Sequence, residues 1–219
     1  MLTQIYEVSG PEEARQLADL GVDHMGVLVG PGAFPRERPG AEARATFEAL
    51  PPGKISIALS LSDSPDEVAR VIRETTPDVV HIGAAIELFS VDQTRSIKCQ
   101  FPETQIMRAI PVVGEAAIGW ARDYEGIADW LLLDSHAPGD RQIGAQGITH
   151  DWSISRRIVE AVSMPVILAG GLGPDNVAEA IKAVGPAGVD SKTKTDSTDG
   201  ETKDLQKVAA FVEQSKGAG

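Results

Sequence analysis

Val166-Ile167-Leu168-Ala169-Gly170-Gly171-Leu172-Gly173-Pro174-Asp175-Asn176-Val177 combines an apolar run, a pair of glycines and a helix start. The apolar run is typical of a buried strand in a parallel sheet, and the Pro and Asp that follow are typical of the first turn of a helix. Such a junction leaves backbone N–H groups uncovered at the start of the helix, where a phosphate group binds favourably. Glycine also permits a sharp turn without any ligand, because it reaches positive φ at no steric cost. The motif therefore predicts either a phosphate site or a plain turn.

The same alternation of apolar runs and amphipathic segments extends along the chain. Eight strands are predicted, over Thr3–Val8, His24–Val29, Ile55–Leu61, Val79–Gly83, Gln105–Ile110, Trp130–Asp134, Pro165–Ala169 and Gly188–Asp190. Helices are predicted over Pro11–Leu20, Ala41–Leu50, Ser64–Thr75, Leu88–Phe101, Val113–Tyr124, Ser153–Val162, Pro174–Val184 and Thr202–Ser215. Strands that alternate with helices pair in parallel through right-handed crossovers. Eight such units predict an α/β protein that forms a single (β/α)8 TIM barrel over residues 1–219. A doubly wound open sheet is the alternative.

The composition excludes several classes of protein. The net charge of -12 at pH 7 opposes attraction to nucleic acid or to anionic membranes, so neither partner is expected. The single cysteine, Cys99, cannot form an internal disulfide, and no Cys/His spacing typical of a metal site occurs. No apolar run approaches the ~20 residues of a membrane span, and no leader precedes the first strand. We therefore expect a cytoplasmic protein without a cofactor.

Three ordered motifs resemble one enzyme family. They are Trp130-Leu131-Leu132-Leu133-Asp134-Ser135, then Gly144-Ala145-Gln146-Gly147-Ile148-Thr149-His150-Asp151-Trp152, then the run from Leu168 to Val177. The chain is similar here to the phosphoribosylanthranilate isomerase family, whose motifs LLLD(T/S), GG(T/S)GxxFDW and (L)(A/S)GGLxPxNV occur in this order. The resemblance implies a (β/α)8 barrel, a role in tryptophan biosynthesis and a phosphosugar held by the loops after strands seven and eight.

The family's reaction is an Amadori rearrangement of an aminoaldose phosphate to an aminoketose phosphate. An acid protonates the furanose ring oxygen, the ring opens, and a base removes the proton from C2′. By motif position the acid corresponds to Asp134, at the carboxyl end of the sixth predicted strand, where barrel enzymes place catalytic groups. A carboxylate that merely caps a loop is the alternative for Asp134.

The base departs from the family pattern. The family has Lys-Ile-Cys-Gly at the end of strand one, with Cys as the base, and this chain has Gln4-Ile5-Tyr6-Glu7. Tyr6 falls on the Cys position, but a phenol with a pKa near 10 is a weak base at neutral pH. Glu7 is chemically better suited, although neighbouring residues of a strand point to opposite faces. Only one of the two is expected to face the barrel mouth unless the strand ends at Tyr6, and Tyr6 is as well explained by packing.

Phosphate binding is expected at Gly170, Gly171, Lys192 and Thr193. The family's loop after strand eight has approximately Asp-Val-Ser-Ser-Gly-Val-Glu, whereas this chain has Asp190-Ser191-Lys192-Thr193-Lys194-Thr195-Asp196. A lysine there replaces a glycine that lets the backbone approach a phosphate. The lysines either neutralise an anion directly or form a solvated loop face.

Three arginines are candidates for binding the substrate. Arg36 or Arg38 corresponds to the family's arginine for the anthranilate carboxylate, which a guanidinium clamps with two hydrogen bonds. A surface loop rich in proline and charge is the alternative. Arg108, near the end of strand five, is expected to bring a cation to the mouth.

Histidines suggest a different chemistry. His81, in the fourth predicted strand, is a candidate substrate ligand. Together with Glu7, Asp134 and His136 it would also form a mixed N/O metal site. Two further functions therefore stay open: a metal-dependent sugar-phosphate epimerase or aldolase, and a non-catalytic barrel that binds a phosphorylated metabolite. The ligand in every case is a small phosphorylated molecule, and the sequence fixes neither its identity nor the oligomeric state.

Overall fold

Eight parallel strands close into a barrel in the computed structural model, which describes residues 1–136, 141, 143–144 and 149–219. The strands are Leu2–Tyr6 (β1), His24–Leu28 (β2), Ile55–Ser60 (β3), Val79–Ile82 (β4), Gln105–Pro111 (β5), Trp130–Asp134 (β6), Val166–Leu168 (β7) and Gly188–Ser191 (β8). Because β1 pairs in parallel with both β2 and β8, the sheet has no free edge. The predicted (β/α)8 barrel is confirmed, and the open sheet is excluded.

A helix follows each strand along the chain. The helices are Pro11–Asp19 (α1), Gly40–Glu48 (α2), Pro65–Thr75 (α3), Val91–Gln100 (α4), Ala116–Asp123 (α5), Trp152–Ala161 (α6), Val177–Val184 (α7) and Leu205–Ala218 (α8). The start of α4 is fixed by a capping box, in which the side chains of Ser90 and Gln93 each accept a hydrogen bond from the other's backbone N–H. A short 3₁₀ helix, Thr193–Thr195, follows β8.

The α7 helix begins three residues later than its predicted start at Pro174. The side chain of Asn176 explains the delay. Its Oδ1 accepts from the N–H of Gly173 at 2.8 Å, and its Nδ2 donates to the carbonyl of Gly171 at 3.1 Å. These bonds hold residues 171–176 as a compact turn between strand and helix.

Apolar side chains form two separate layers. The larger core lies between the strands and the helices, where every second strand residue packs against the apolar faces of the helices. A smaller cluster fills the barrel interior and comprises Tyr6, Ile57, Val79, Met107, Leu132, Ile167 and Ala169. The interior is therefore a packed core below the site described next.

Three aspartates each link two neighbouring strands at their amino-terminal ends, which form the lower end of the barrel. Asp23, Asp78 and Asp129 each stand one residue before an even-numbered strand. Each carboxylate accepts the backbone N–H of a residue at the start of the preceding strand: Thr3 at 3.0 Å, Ser56 at 2.8 Å and Ile106 at 2.7 Å. These acidic groups stabilise the end of the barrel remote from the site.

Candidate active site

A cavity of about 320 Å³ opens at the carboxyl ends of the strands. Apolar groups, among them Phe34, Leu61 and Ile143, supply part of its lining. The ionisable groups that line it are Tyr6, Glu7, Arg36, His81, Asp134, Asp190, Lys192 and Glu201. Since barrel enzymes build their active sites at this end of the strands, the cavity is the candidate site.

Asp134 ends β6 with its carboxyl group enclosed by two glycines. A Cβ atom on Gly144 would lie 2.2 Å from its Oδ2, and one on Gly170 would lie 3.3 Å from its Oδ1. Burial raises the pKa of Asp134 from 3.8 to about 7, against the opposing effect of hydrogen bonds from Ser135. A large fraction of the carboxyl is then protonated near neutral pH, as a general acid requires.

A second carboxyl, that of Asp190, lines the same cavity from β8. It is 6% exposed and accepts a hydrogen bond from Nε2 of Gln4 at 3.2 Å. Burial, followed by the charge of Asp134, raises the pKa of Asp190 well above its ordinary value. Asp190 is absent from the site residues predicted above, although it ends the predicted eighth strand as Asp134 ends the sixth; the observed β8 runs one residue further, to Ser191.

Glu7 and Tyr6 both line the cavity because β1 ends between them. The strand stops at Tyr6, and Glu7 adopts a left-handed backbone conformation with φ 59°. The alternation of strand side chains therefore no longer applies at Glu7. A residue other than glycine in this region costs free energy and is typical of functional sites.

Arg36 binds two carboxylates at the mouth of the cavity. Its Nη1 lies 2.8 Å from Oδ1 of Asp196, and its Nε lies 3.5 Å from Oε2 of Glu7. Lys192 Nζ lies 3.2 Å from the same Glu7 oxygen. The buried Lys203 Nζ lies 2.6 Å from Asp196 Oδ1. These five side chains, which we call the mouth cluster, join the loops after β1, β2 and β8.

Asp196 and Lys203 are the members of the mouth cluster that the sequence analysis missed. They lie in the loop after β8, and the chain there folds back so that Lys203 Nζ also donates to the carbonyl of Lys192 at 3.0 Å. A loop of mixed charge gives no sequence signal for this fold-back. The two residues are recognised only in three dimensions.

A small recess of about 30 Å³ shares Asp134, Asp190 and Lys192 with the main cavity. The predicted phosphate ligands Gly170, Gly171, Lys192 and Thr193 all line this recess, together with Lys194. Gly170 and Gly171 have positive φ values of 83° and 63°, a conformation that favours glycine. The loops after β7 and β8 thus bring these four residues together.

The second sequence motif is described only in part. Residues 145–148 of the motif from Gly144 to Trp152 lie outside the described residues. Within the described part, Asp151 caps α6 by accepting the N–H of Ser153 at 2.9 Å. The aspartate of this motif therefore serves as the N-cap of α6.

Two predicted arginines do not reach the cavity. Arg108 is fully buried in the layer between strands and helices, where it donates to the carbonyls of Ile82, Ala84 and Phe89 and to the hydroxyl of Tyr124. The prediction of a cation at the mouth was wrong for this residue, because its side chain points outward from β5. Arg38 pairs only weakly with Glu42, at 3.9 Å, and does not line the cavity.

The mixed metal site is not assembled. Within the described ranges, no group of three His, Cys, Asp or Glu side chains is arranged to hold a metal ion. His81 instead contacts Tyr6, with 2.5 Å between Nδ1 and the phenolic oxygen. Glu7 faces Arg36 and Lys192.

The fold and the cavity define a (β/α)8-barrel enzyme whose candidate site lies at the carboxyl ends of its strands. The model of the family described as N-(5′-phosphoribosyl)anthranilate (PRA) isomerase matches residues 53–214. The enzyme of that name from Methanocella arvoryzae is 38% identical over 204 residues, which cover 93% of this chain and 92% of the relative. The chain belongs to the N-(5′-phosphoribosyl)anthranilate isomerase family.

Solved structures of such enzymes share the fold. The crystal structure of phosphoribosyl anthranilate isomerase from Thermus thermophilus has a TM-score of 0.82 and 24% identity, with 99% of each chain covered. Another has a TM-score of 0.78 and 24% identity, covers 99% of this chain and 100% of that chain, and was solved with reduced 1-(o-carboxyphenylamino)-1-deoxyribulose 5-phosphate. None of the helices in the described ranges is both long and apolar enough to cross a membrane.

Proposed function

We propose that the protein isomerises N-(5′-phosphoribosyl)anthranilate by an Amadori rearrangement. The observation that carries the proposal is the Asp134 carboxyl, which lines the cavity and has a pKa raised to about 7 by burial. A carboxylic acid that keeps its proton near neutral pH is suited to protonate a weakly basic ring oxygen. Family membership supports the same reaction.

Asp134 is the general acid. Its proton goes to the furanose ring oxygen while the C1′–O bond breaks, and the lone pair of the anthranilate nitrogen forms the C1′=N bond. The product of this step is an open-chain Schiff base with a positive charge on nitrogen, and Asp134 is left as a carboxylate. That charge increases the acidity of the C2′ proton, which prepares the second step.

Glu7 is the general base, ahead of Tyr6. Glu7 lines the cavity and offers a carboxylate, which accepts the C2′ proton as the C2′–H electron pair forms a C1′=C2′ double bond and the C1′=N electron pair returns to nitrogen. The enol so formed takes the Glu7 proton at C1′ and gives its O–H proton to the Asp134 carboxylate, which restores both side chains. Burial, followed by the charges of Asp190 and Asp134, raises the pKa of Tyr6 well above 10. The phenol therefore holds its proton, which disfavours Tyr6 as a base.

The two anionic ends of the substrate have separate sites. The phosphate lies in the recess of Gly170, Gly171, Lys192 and Thr193, where glycine backbone and a lysine are available. The anthranilate ring lies along the apolar lining that includes Phe34, and its carboxylate meets Arg36. Since Arg36 is already paired with Asp196, the incoming carboxylate has to share or replace that partner.

Turnover of freshly prepared phosphoribosylanthranilate, followed by loss of its fluorescence, tests the proposal. We expect turnover by the purified protein that a chelator leaves unchanged. Asp134→Asn and Glu7→Gln should each lower kcat by a factor of about 10² to 10⁴, the usual contribution of an acid or base. The matched control is Asp92→Asn on the exposed face of α4, which does not line the cavity. It should leave kcat within about threefold of the wild type.

The outcomes separate the competing functions. Chelator-sensitive turnover would support the metal-dependent alternative. Absence of turnover, together with tight binding of the reduced product analogue by both wild type and Asp134→Asn, would show a non-catalytic binding barrel. Full activity of Glu7→Gln would remove Glu7 as the base while leaving the isomerase assignment intact.

A further inference from the structure

Tyr6 and His81 form a hydrogen-bonded pair inside the barrel, 75 residues apart in sequence. The phenolic oxygen lies 2.5 Å from Nδ1 of His81, and the two ring centroids are 5.3 Å apart. Tyr6 is 5% exposed and His81 is 4% exposed, yet both line the cavity. The pair therefore stands at the boundary between the packed interior and the site.

A glycine on the neighbouring strand makes room for the Tyr6 ring. A Cβ atom on Gly26 of β2 would lie 2.1 Å from Cδ1 of Tyr6, so no larger residue fits there while the ring keeps its place. Met107 also contacts the phenol, with 3.7 Å between its Sδ and the phenolic oxygen. Packing against Gly26 and Met107 thus sets the position of the hydroxyl group beside His81.

The hydrogen bond determines which nitrogen of His81 carries the proton. A thioether is a weak acceptor, so the phenol donates its proton to Nδ1 of His81 rather than to Met107. Nδ1 is then an acceptor, and in the neutral imidazole the proton lies on Nε2. Burial, followed by the charge of Arg108, lowers the pKa of His81 to about 3, so the ring is neutral at physiological pH.

The Nε2 atom of His81 has no hydrogen-bond partner among the described residues, although it is buried. A buried donor without an acceptor destabilises the folded protein. Such a cost is accepted where a ligand supplies the missing acceptor, and the side chain of His81 lines the cavity. The Nε2–H group is therefore a donor prepared for a ligand oxygen.

We propose that His81, held in the Nε2–H form by Tyr6, donates a hydrogen bond to the oxygen on C2′ of the bound sugar. This inference rests on the proposed isomerisation, in which that oxygen changes from hydroxyl to enol to ketone and gains negative charge as the enol O–H proton passes to the Asp134 carboxylate. A neutral imidazole polarises such an oxygen without giving up its proton, so no net proton transfer passes through His81. Tyr6 is then a positioning residue, and His81 contacts the substrate directly.

Substitution of His81 tests the contact. We expect His81→Leu to lower kcat by a factor of about 10² to 10³, as measured for the loss of one donor to a developing oxyanion, with a smaller change in KM. His81→Gln places an amide N–H near the Nε2 position and should recover at least a tenth of the wild-type kcat. The matched control is His24→Gln, since His24 is an inward-facing histidine bonded to Gln4 that does not line the cavity.

Nitrogen-15 NMR of the histidine rings provides a readout that does not depend on turnover. The wild type should show His81 protonated at Nε2 only, and Tyr6→Phe should shift this ring towards the other tautomer. Addition of the reduced product analogue should move the Nε2–H signal downfield, because the donor gains an acceptor.

The possible results lead to distinct conclusions. An unchanged kcat in His81→Leu, or a ring protonated at Nδ1 in the wild type, would overturn the inference and leave the isomerase assignment untouched. If the wild type shows no turnover, the proposed function fails, and the NMR shift on adding ribose 5-phosphate decides the contact alone. Equal losses in His81→Leu and His81→Gln would indicate a packing role and also overturn it.

Discussion

Replacing Asp134 by Asn should stabilise the protein above neutral pH although it lowers kcat. The folded-state pKa of Asp134 is raised from 3.8 to about 7. Between those pH values the folded protein therefore binds a proton that the unfolded chain has released. Stability falls as the pH rises through this window and stays lower above it. Asparagine has the same shape and cannot ionise, so the stability of the variant does not fall in this way as the pH rises.

The size of the effect follows from the shift. One pKa unit corresponds to about 1.4 kcal/mol, so a shift of roughly three units gives on the order of 4 kcal/mol above pH 7. The Asp134 side chain keeps some exposure to the cavity, and solvent screening reduces the expected gain to about 2–4 kcal/mol. Since the charge of Asp134 also raises the pKa of Asp190, its removal acts in the same direction. For a chain of this length the gain corresponds to about 4–16 °C in Tm.

Urea denaturation at pH 4.5 and pH 8, followed by circular dichroism, measures the difference. We expect Asp134→Asn to exceed the wild type in free energy of unfolding at pH 8 and to lie close to it at pH 4.5. Asp92→Asn is the control and should show no such pH dependence. A variant that is no more stable at pH 8, or that gains equally at both pH values, would refute the argument that burial of the carboxyl is costly.

Three further predictions concern catalysis, the recess and the buried arginine. Because the acid must be protonated, kcat/KM should fall about tenfold per pH unit above pH 7, and a profile flat to pH 9 would contradict the role of Asp134. Gly171→Ala should raise KM at least tenfold, whereas Gly185→Ala, with a similar φ of 69° at a helix end, should cost about 1 kcal/mol of stability with KM unchanged. Arg108→Met should lower the free energy of unfolding by about 3 kcal/mol or more, since it leaves buried carbonyl groups without donors, and a normal KM would confirm its distance from the substrate. The exposed Arg44→Met on α2 is the control in the unfolding assay.

Sequence periodicity determined the barrel because each strand lies within a regular strand–helix unit. The observed strands fall within two residues of their predicted ends. Closure itself depends on the pairing of β1 with β8, a contact between the two ends of the chain that periodicity cannot show. The late start of α7 depends on the side chain of Asn176, a local interaction that the glycine and proline signals do not reveal.

The family motifs predicted part of the candidate site, whereas contacts between distant parts of the chain were missed. Asp134 was identified by its position in the family motif of residues 130–135, at the carboxyl end of the sixth predicted strand. Arg108 was misplaced because side-chain alternation along β5 turns it outward, next to the inward-facing Met107. The partnership of Tyr6 and His81 joins two strands that are not neighbours in the barrel, so no spacing in the sequence indicates it.

The aspartates at the amino ends of the strands link three of the strand pairs but not the pair formed by β7 and β8. Asp23, Asp78 and Asp129 fasten β1 to β2, β3 to β4 and β5 to β6, but the corresponding residue before β8 is Ala187. The β7 strand has three residues, and only two residue pairs register it with β8. Among the strands, the backbone amide hydrogens between β7 and β8 should therefore exchange fastest with solvent. A phosphate bound by the loops after β7 and β8 would link these two strands at their carboxyl ends. The ligand would thus stabilise a strand pair that no aspartate links.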